Sequence, residues 1–160
     1  MTYKEVHKET YLTKEGLKHL EEELHELKFV KRPDVASRIH WASQSGGTVD
    51  NAEYEDAKNE QAFVEGRIRE LENILSDAVV APKTGGTKGG VKIGSSVTVV
   101  GADGSKHHYV VVGSAEAAPL EGRISNESPV GSALMGRKVG DKIQVKTPNG
   151  VVTLTVTKVA

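Results

Sequence analysis

Two long stretches of apolar residues at heptad spacing constrain the fold of this chain more than any other feature. In the first stretch, leucines recur at alternating intervals of three and four residues, at Leu17, Leu20, Leu24 and Leu27. The second stretch repeats this pattern with Ala57, Val64, Ile68, Leu71, Leu75 and Ala78. Such spacing aligns apolar side chains on one side of a helix, as in a coiled-coil seam. We therefore expect two helices that pack against each other.

The segment between the two stretches is short and polar, which favours an antiparallel hairpin. Its tip is predicted near residues 45–53, where Gly46 and Gly47 permit the positive φ angles of a tight turn. Thr13 is suited to cap the first helix. At roughly 30 residues each, the helices would be on the order of 45 Å long. We expect such a hairpin to project into solvent or into a partner.

Pro33 lies inside the first periodic stretch. Proline either kinks a helix or begins a new one at its first turn. Because Val35, Ile39 and Ala42 continue the apolar stripe beyond it, the pattern predicts a kink rather than an end.

The composition changes after residue 80. Residues 81–90 contain the Gly-rich stretch "PKTGGTKGG", which is typical of a linker. Residues 91–160 contain short β-branched runs separated by "GADG" and "TPNG", which favour hairpin turns. A short helix is predicted to start near Ser128 and Pro129 and to stop at Gly136 or Gly140. The chain is therefore predicted to have a helical domain at 1–80, a linker at 81–90 and a mostly antiparallel β-sheet domain at 91–160.

Charge and composition narrow the function classes. Residues 1–80 hold 11 basic and 17 acidic residues, net −6, whereas 81–160 hold 10 and 5, net +5. The near-neutral whole argues against a generic nucleic-acid binder, and the asymmetry suggests two modules with different surroundings. The chain has no cysteine, which excludes disulfides, thiolate zinc sites and cysteine nucleophiles. With no apolar run long enough for a signal peptide or a membrane span, we expect a cytoplasmic protein.

Four motifs in this order, "YLTKEGLKHLEEELHELK", "KRPDVASRI", "DNAEYEDAKNEQAFVEGRIRELENIL" and "ESPVGSALMGRKVGDKIQVKTPNGVVTLTV", make the chain resemble the Gre family of bacterial transcript-cleavage factors. The resemblance is closer to the GreA branch than to the GreB branch. It implies an α+β fold, with an N-terminal antiparallel α-helical coiled-coil hairpin followed by an FKBP-like antiparallel β-sheet domain with one short helix.

The resemblance also implies partners. They are bacterial RNA polymerase, whose secondary channel admits the hairpin, and the extruded 3′ end of the nascent RNA. The protein is then expected to be a monomer with no membrane association and no cofactor of its own. Family members are understood to bring acidic side chains to the polymerase active site, where they help to hold a second Mg²⁺ for hydrolysis of the RNA. Asp50 and Glu53 are the corresponding tip acids here, and carboxylates are the ligand type that Mg²⁺ prefers.

The tip departs from the usual family pattern at three positions. Gly47 stands where the family has Asp, Asp50 where it has the longer Glu, and Ser43 where it has Arg. One of the two expected acids is therefore missing. Glu53 is the alternative ligand, although a shift of one helical turn moves a carboxylate by roughly 5 Å. Cleavage is expected to be weakened or absent, unless the partner polymerase tolerates the altered tip.

Each candidate residue also has a structural interpretation. Asp50 is suited to cap the second helix, and Glu53 then falls at capping-box spacing. Lys31, Arg32 and Arg38 are the family's candidate contacts to extruded RNA, but they also fit a solvated helix face. In the second half, the resemblance assigns polymerase contact to the stretch Ser125, Asn126, Glu127, Ser128 and Pro129. Ser128 and Pro129 can equally serve to open the short helix.

Three functions therefore remain open. The first is a factor that assists cleavage by the polymerase without being an enzyme itself. The second is a regulator of the same fold that occupies the channel without cleavage, as Gly47 suggests. The third is a free-standing coiled-coil scaffold or dimer, which explains the heptads but gives no role to the β-sheet domain.

Overall fold

The computed structural model describes residues 9–44, 52–82 and 89–160. The chain divides into two compact units. One is helical and comprises Leu17–Asp77. The other is built around a β-sheet and takes in the residues on either side, including residues 9–16 and 78–82. The sequence analysis assigned residues 9–16 and 78–80 to the helical domain at 1–80. Their contacts group them with the sheet instead.

The helical residues form a hairpin, here called the helical hairpin. Its first arm consists of α1 (Lys14–Glu26), a π-helical turn (Leu27–Lys31) and α2 (Arg32–Gln44). Its second arm is α3 (Ala52–Ser76). In the π-helical turn the Arg32 N–H donates to the Leu27 carbonyl, five residues back. Pro33 is the second residue of α2, and α2 continues from there to Gln44. The first arm therefore continues through the proline, as the apolar stripe predicted.

The seam of the helical hairpin is apolar and buried. The first arm contributes Leu20, Val35 and Ala42, and the second contributes Ala57, Val64, Ile68 and Leu71. These residues belong to the heptad pattern of the sequence, which confirms the predicted packing of the two arms. The predicted stripe was wrong at its last member, because α3 ends at Ser76 and Ala78 begins a strand.

The second unit contains a five-stranded sheet. Its strands are β3 (Ser96–Gly101), β4 (Lys106–Val112), β5 (Arg123–Ser125), β6 (Lys142–Thr147) and β7 (Gly150–Val159). They lie in the order β5-β4-β3-β7-β6. Only the β4–β5 pair is parallel, so the sheet is mostly antiparallel, as predicted. The turns before β4 and at the start of β7 contain Gly104 and Gly150, with φ of 83° and 118°. Both are the predicted hairpin turns.

One face of the sheet carries the core. In β3 and β6 the inward side chains alternate with more exposed ones, with Val97 and Val99 on β3 and Ile143 and Val145 on β6 all buried. The helix α4 (Pro129–Leu134) packs on this core through Leu134, which is fully buried. The helix begins at the predicted proline, and Gly136 follows with a φ of 75°.

A second, two-stranded sheet was not predicted from the sequence. In it, β1 (Thr10–Leu12) pairs in parallel with β2 (Ala78–Val80). Three-residue strands are too short to show a period of two, so the hydrophobic pattern gave no signal for them. Among the helices that the structure describes, none is long and apolar enough to cross a membrane.

A nearly buried carboxylate, Glu116, holds the residue that caps α1. Its carboxylate accepts hydrogen bonds from the Thr13 backbone N–H at 2.7 Å and from the Thr13 hydroxyl. The Thr13 hydroxyl accepts in turn from the Gly16 N–H at 3.0 Å, which confirms Thr13 as the cap. Gly16 is required at this contact, because a Cβ there would lie 1.9 Å from a Glu116 carboxylate oxygen.

Two glycine-to-alanine substitutions are expected to change stability in opposite directions. A Cβ at Gly113 would lie 1.6 Å from the Tyr11 carbonyl oxygen, so Gly113→Ala must displace backbone and should destabilise its unit by about 1–3 kcal/mol. Gly66 is exposed to solvent in the middle of α3, and a Cβ added there would have no atom within 4 Å. Gly66→Ala should therefore stabilise the helical hairpin by about 0.5–1 kcal/mol. Thermal unfolding followed by circular dichroism measures both effects, and a stabilising Gly113→Ala would contradict this packing.

Candidate functional site

The end of the helical hairpin is the predicted site of chemistry. On the tip side, α2 ends at Gln44 and α3 begins at Ala52. Residues 45–51 lie outside the described residues, so the assignments of Asp50 as metal ligand or helix cap stay predictions. Glu53 lies in the first turn of α3 and is exposed. The hairpin therefore presents at least one solvated carboxylate at this end.

The three basic residues proposed for RNA contact all lie on the first arm, and two of them are engaged with the second. Arg32 donates to both carboxylate oxygens of Glu65, from Nε at 2.7 Å and from Nη2 at 2.8 Å. Arg38 donates to Glu60. Lys31 is exposed at the end of the π-helical turn. RNA contact by these residues stays a prediction, and the structure adds a role in pairing the arms for the two arginines.

These contacts perturb the charged groups in the expected directions. The hydrogen bond from Arg32 lowers the pKa of Glu65, and the same bond raises the pKa of Arg32. The pKa of Arg38 is raised mainly by its hydrogen bond to Glu60, with smaller contributions from the nearby charges of Asp34 and Glu53. Both arginines therefore stay charged at neutral pH.

Two further ion pairs join the arms nearer the other end of the hairpin. Lys28 pairs with Glu72, and Arg67 binds both oxygens of Glu23 at 2.6 and 2.9 Å. The sequence analysis did not predict these partnerships. A signal was present, because opposite charges on positions that border an apolar seam are typical of paired helices. Together, the cross-helix pairs favour one register of the two arms.

The 125–129 loop is ordered by hydrogen bonds among its own residues. The Ser128 hydroxyl donates to the Ser125 carbonyl at 2.7 Å and accepts from the Gly131 N–H at 3.0 Å, so it caps α4. The Ser125 hydroxyl accepts from the Glu127 N–H at 3.0 Å. The structural interpretation of Ser128 and Pro129 as the opening of a helix is thus confirmed. The assignment of this loop to a partner contact stays a prediction.

A shallow cleft borders this loop. The Ser114 hydroxyl contacts two residues of the loop. It donates to the Glu127 carboxylate at 2.8 Å and lies 3.0 Å from the Ser125 hydroxyl. Sequence reasoning missed the rest of the cleft, because β1 and the loop are more than a hundred residues apart in the chain. The cleft is lined by Glu9, Thr10, Tyr11, Ser114, Asn126 and Glu127.

No group of three or more histidines, aspartates or glutamates is placed to hold a metal ion within the described ranges 9–44, 52–82 and 89–160. The six histidines gave no ligand spacing in the sequence either. The exposed carboxylate of Glu53 is a hard oxygen ligand of the type that Mg²⁺ takes, but one carboxylate fills only part of an octahedral shell.

Two family models match adjacent parts of the chain. Residues 10–80 match "Transcription elongation factor, N-terminal", and residues 86–160 match "Transcription elongation factor, GreA/GreB, C-term". The chain belongs to the GreA/GreB family of transcription elongation factors. The family resemblance inferred from the sequence motifs is thereby confirmed.

Curated relatives of this GreA/GreB family member match over most of its length. Transcription elongation factor GreA of Chloroflexus aggregans is 52% identical over 153 residues, which cover 95% of this chain and 98% of the relative. GreA of Bacillus cytotoxicus is 47% identical over 140 residues, covering 87% and 89%. Among solved structures, the GreA factor homolog 1 (Gfh1) protein of Thermus thermophilus is 32% identical and covers 96% of this chain and 99% of its own, with a TM-score of 0.46.

The Arg32–Glu65 pair predicts a pH dependence of hairpin stability. Because Arg32 lowers the pKa of Glu65 below its ordinary value of 4.5, this carboxylate contributes stability above that pH and loses it as the pH falls through the lowered pKa. At neutral pH, Glu65→Gln should lower the melting temperature of the helical hairpin slightly, because a largely exposed ion pair contributes less than about 1 kcal/mol. The difference from wild type should vanish once the pH is well below 4.5. Circular dichroism melts over a pH series test this.

Glu21, an exposed carboxylate of α1, provides the matched control. Glu21→Gln should give a melting temperature that follows wild type at each pH. If Glu65→Gln also followed wild type throughout, the Arg32 contact would have no role in holding the arms together.

Proposed function

We propose that this GreA/GreB family member acts on bacterial RNA polymerase by inserting the helical hairpin into the secondary channel. One observation carries the proposal. Two paired helices with a buried apolar seam end together, with the exposed acid Glu53 in the first turn of the second arm. A pair of helices is too thin to enclose a substrate pocket of its own. It is well suited to carry a side chain into a pocket that belongs to another molecule.

The chemistry would then belong to the polymerase. The tip acids Asp50 and Glu53 would join the polymerase's ligands to its second Mg²⁺, which supplies an activated water and offsets the charge of the RNA phosphate. The substrate is the extruded 3′ end of the nascent RNA in a backtracked complex. The chain is therefore a stimulating factor with no cofactor of its own, and it is not an enzyme in isolation.

The β-sheet unit would hold the factor on the polymerase. The 125–129 loop is pre-organised by the Ser125 and Ser128 hydroxyls, so little conformational entropy is lost when it binds. Glu127 and Pro129 are exposed on this loop. These features support a docking role at the rim of the channel, while the helical hairpin acts inside it.

Gly47 favours a second candidate function. With Gly in place of the family's Asp, the tip has lost one carboxylate, and Asp50 is one methylene shorter than Glu. A factor of this kind would enter the channel and modulate transcription without cleavage. The two candidates share the binding step and differ only in the chemistry that follows.

A cleavage assay on a halted, backtracked complex with the cognate polymerase separates the two candidates. Cleavage by the wild-type factor is expected to be slow, and Gly47→Asp should accelerate it at least tenfold, because the second acid restores a metal ligand. Asp50→Asn should abolish the remaining stimulation. Shortened RNA is measured on denaturing gels over time.

Affinity for the polymerase, measured in parallel, is the control for these variants. It should be unchanged in both of them. Prompt cleavage by wild type would eliminate the non-cleaving candidate, and a Gly47→Asp factor that binds normally but gains no activity would contradict the role assigned to the missing acid.

The docking role of the loop is tested by the double variant Asn126→Ala/Glu127→Ala. It removes two side chains that line the cleft and should weaken polymerase binding at least fivefold, because a contact at the rim would be lost. Binding is measured by competition with labelled wild-type factor. Glu121→Ala, at another exposed position of the same unit, is the control and should bind like wild type. Equal affinities for all three would contradict the assignment.

A further inference from the structure

Two large aromatic side chains of the helical hairpin, one near the tip and one near the middle of α3, are exposed and have no part in the proposed chemistry. Trp41 on α2 is 69% exposed, and Phe63 on α3 is 73% exposed. Each follows by three residues a member of the Arg38–Glu60 ion pair, and residues at that spacing share a helix face. Because the ion pair joins the arms on one side of the seam, both aromatics lie on that side. We call Trp41, Arg38, Glu60 and Phe63 the aromatic flank.

The two rings lie on opposite sides of the ion pair along the hairpin. The arms are antiparallel, so Trp41 is displaced from Arg38 toward the tip, and Phe63 is displaced from Glu60 away from it. Three residues rise about 4.5 Å on each helix, which separates the two Cα positions by about 9 Å along the axis. That separation lets both rings contact a single partner surface.

The charge around the flank selects the kind of partner. Arg38 is paired with Glu60, and the charges of Asp34 and Glu53 also act on it, so one guanidinium group is opposed by three carboxylates. These four groups carry a net negative charge, so the surface disfavours RNA phosphates, which weighs against the predicted RNA contact of Arg38, and it also disfavours a second copy of itself. An apolar surface bordered by lysine or arginine complements both its rings and its charge.

We propose that the aromatic flank is a docking surface for an apolar, basic patch of protein on the wall of the polymerase channel. The inference rests on the proposed function, which places the polymerase against this part of the hairpin. It goes further in assigning binding energy to Trp41 and Phe63. Exposed aromatic side chains that become buried at an interface are often the residues on which affinity depends.

The test compares wild type with the double variant Trp41→Ser/Phe63→Ser in binding to cognate core polymerase free of nucleic acid. The double variant should bind at least tenfold more weakly, and each single variant should show part of the loss. Since both side chains are exposed, the melting temperature of the hairpin should stay close to that of wild type. Phe29→Ser is the matched control, because Phe29 is 65% exposed in the π-helical turn and lies outside the flank. It should bind within twofold of wild type.

A charge variant tests the chemistry of the partner independently of the aromatic side chains. Asp34 is exposed and lies near Arg38. Asp34→Lys should weaken binding several-fold if the partner surface is basic. Tighter binding by Asp34→Lys would overturn the proposal, because it would indicate an acidic partner surface.

The remaining outcomes separate failure of this proposal from failure of the proposed function. If wild type does not bind polymerase at all, the proposed function fails with it. If wild type binds and the double variant binds within twofold of it, only the role of the aromatic flank is overturned.

A loss of affinity confined to backtracked complexes would assign the flank to RNA. A wild-type dimer in light scattering that the double variant dissolves would assign it to a second copy. Either result would overturn the proposal.

Discussion

The apolar seam between the two arms of the hairpin is the contact on which the rest of the helical unit depends. Burial of a valine or leucine side chain contributes about 1.5–3 kcal/mol, and the seam buries several of them. Toward the tip, the seam residues become small, with Ala42 and Ala57 both buried. Small side chains let the arms approach closely where the chain must turn. The seam also holds in place the start of α3, where Glu53 lies.

Charge pairing acts on top of this packing and specifies its register. Arg32, Arg38 and Arg67 each bind a carboxylate of the opposite arm, which a slip of one helical turn would break. Exposed ion pairs contribute little stability individually, so their main effect is to favour one alignment. This also affects how basic residues of the hairpin are interpreted. Loss of Arg32 or Arg38 would alter the alignment of the arms as well as any contact with RNA.

In the β-sheet unit, polar side chains cap the helices and order the loops. Ser128 caps α4 and fixes the loop that is proposed to meet the polymerase. Glu116 holds Thr13, the cap of α1, and Gly16 leaves the space that this contact requires. Gly113 leaves space for the Tyr11 carbonyl in the same way. Ser128 thus holds the fold together next to a loop that is proposed to bind the polymerase, so variants of that loop need a stability control.

The sequence by itself determined the helices, their pairing, the turns of the antiparallel sheet and the cap at Thr13, because each depends on local spacing or on the conformational preference of a single residue. It also placed the candidate acids and bases along the arms. The tertiary structure alone decided which charges pair, that β1 joins β2, and that Glu116 reaches Thr13. These contacts link residues far apart in the chain, and no local period encodes such distances.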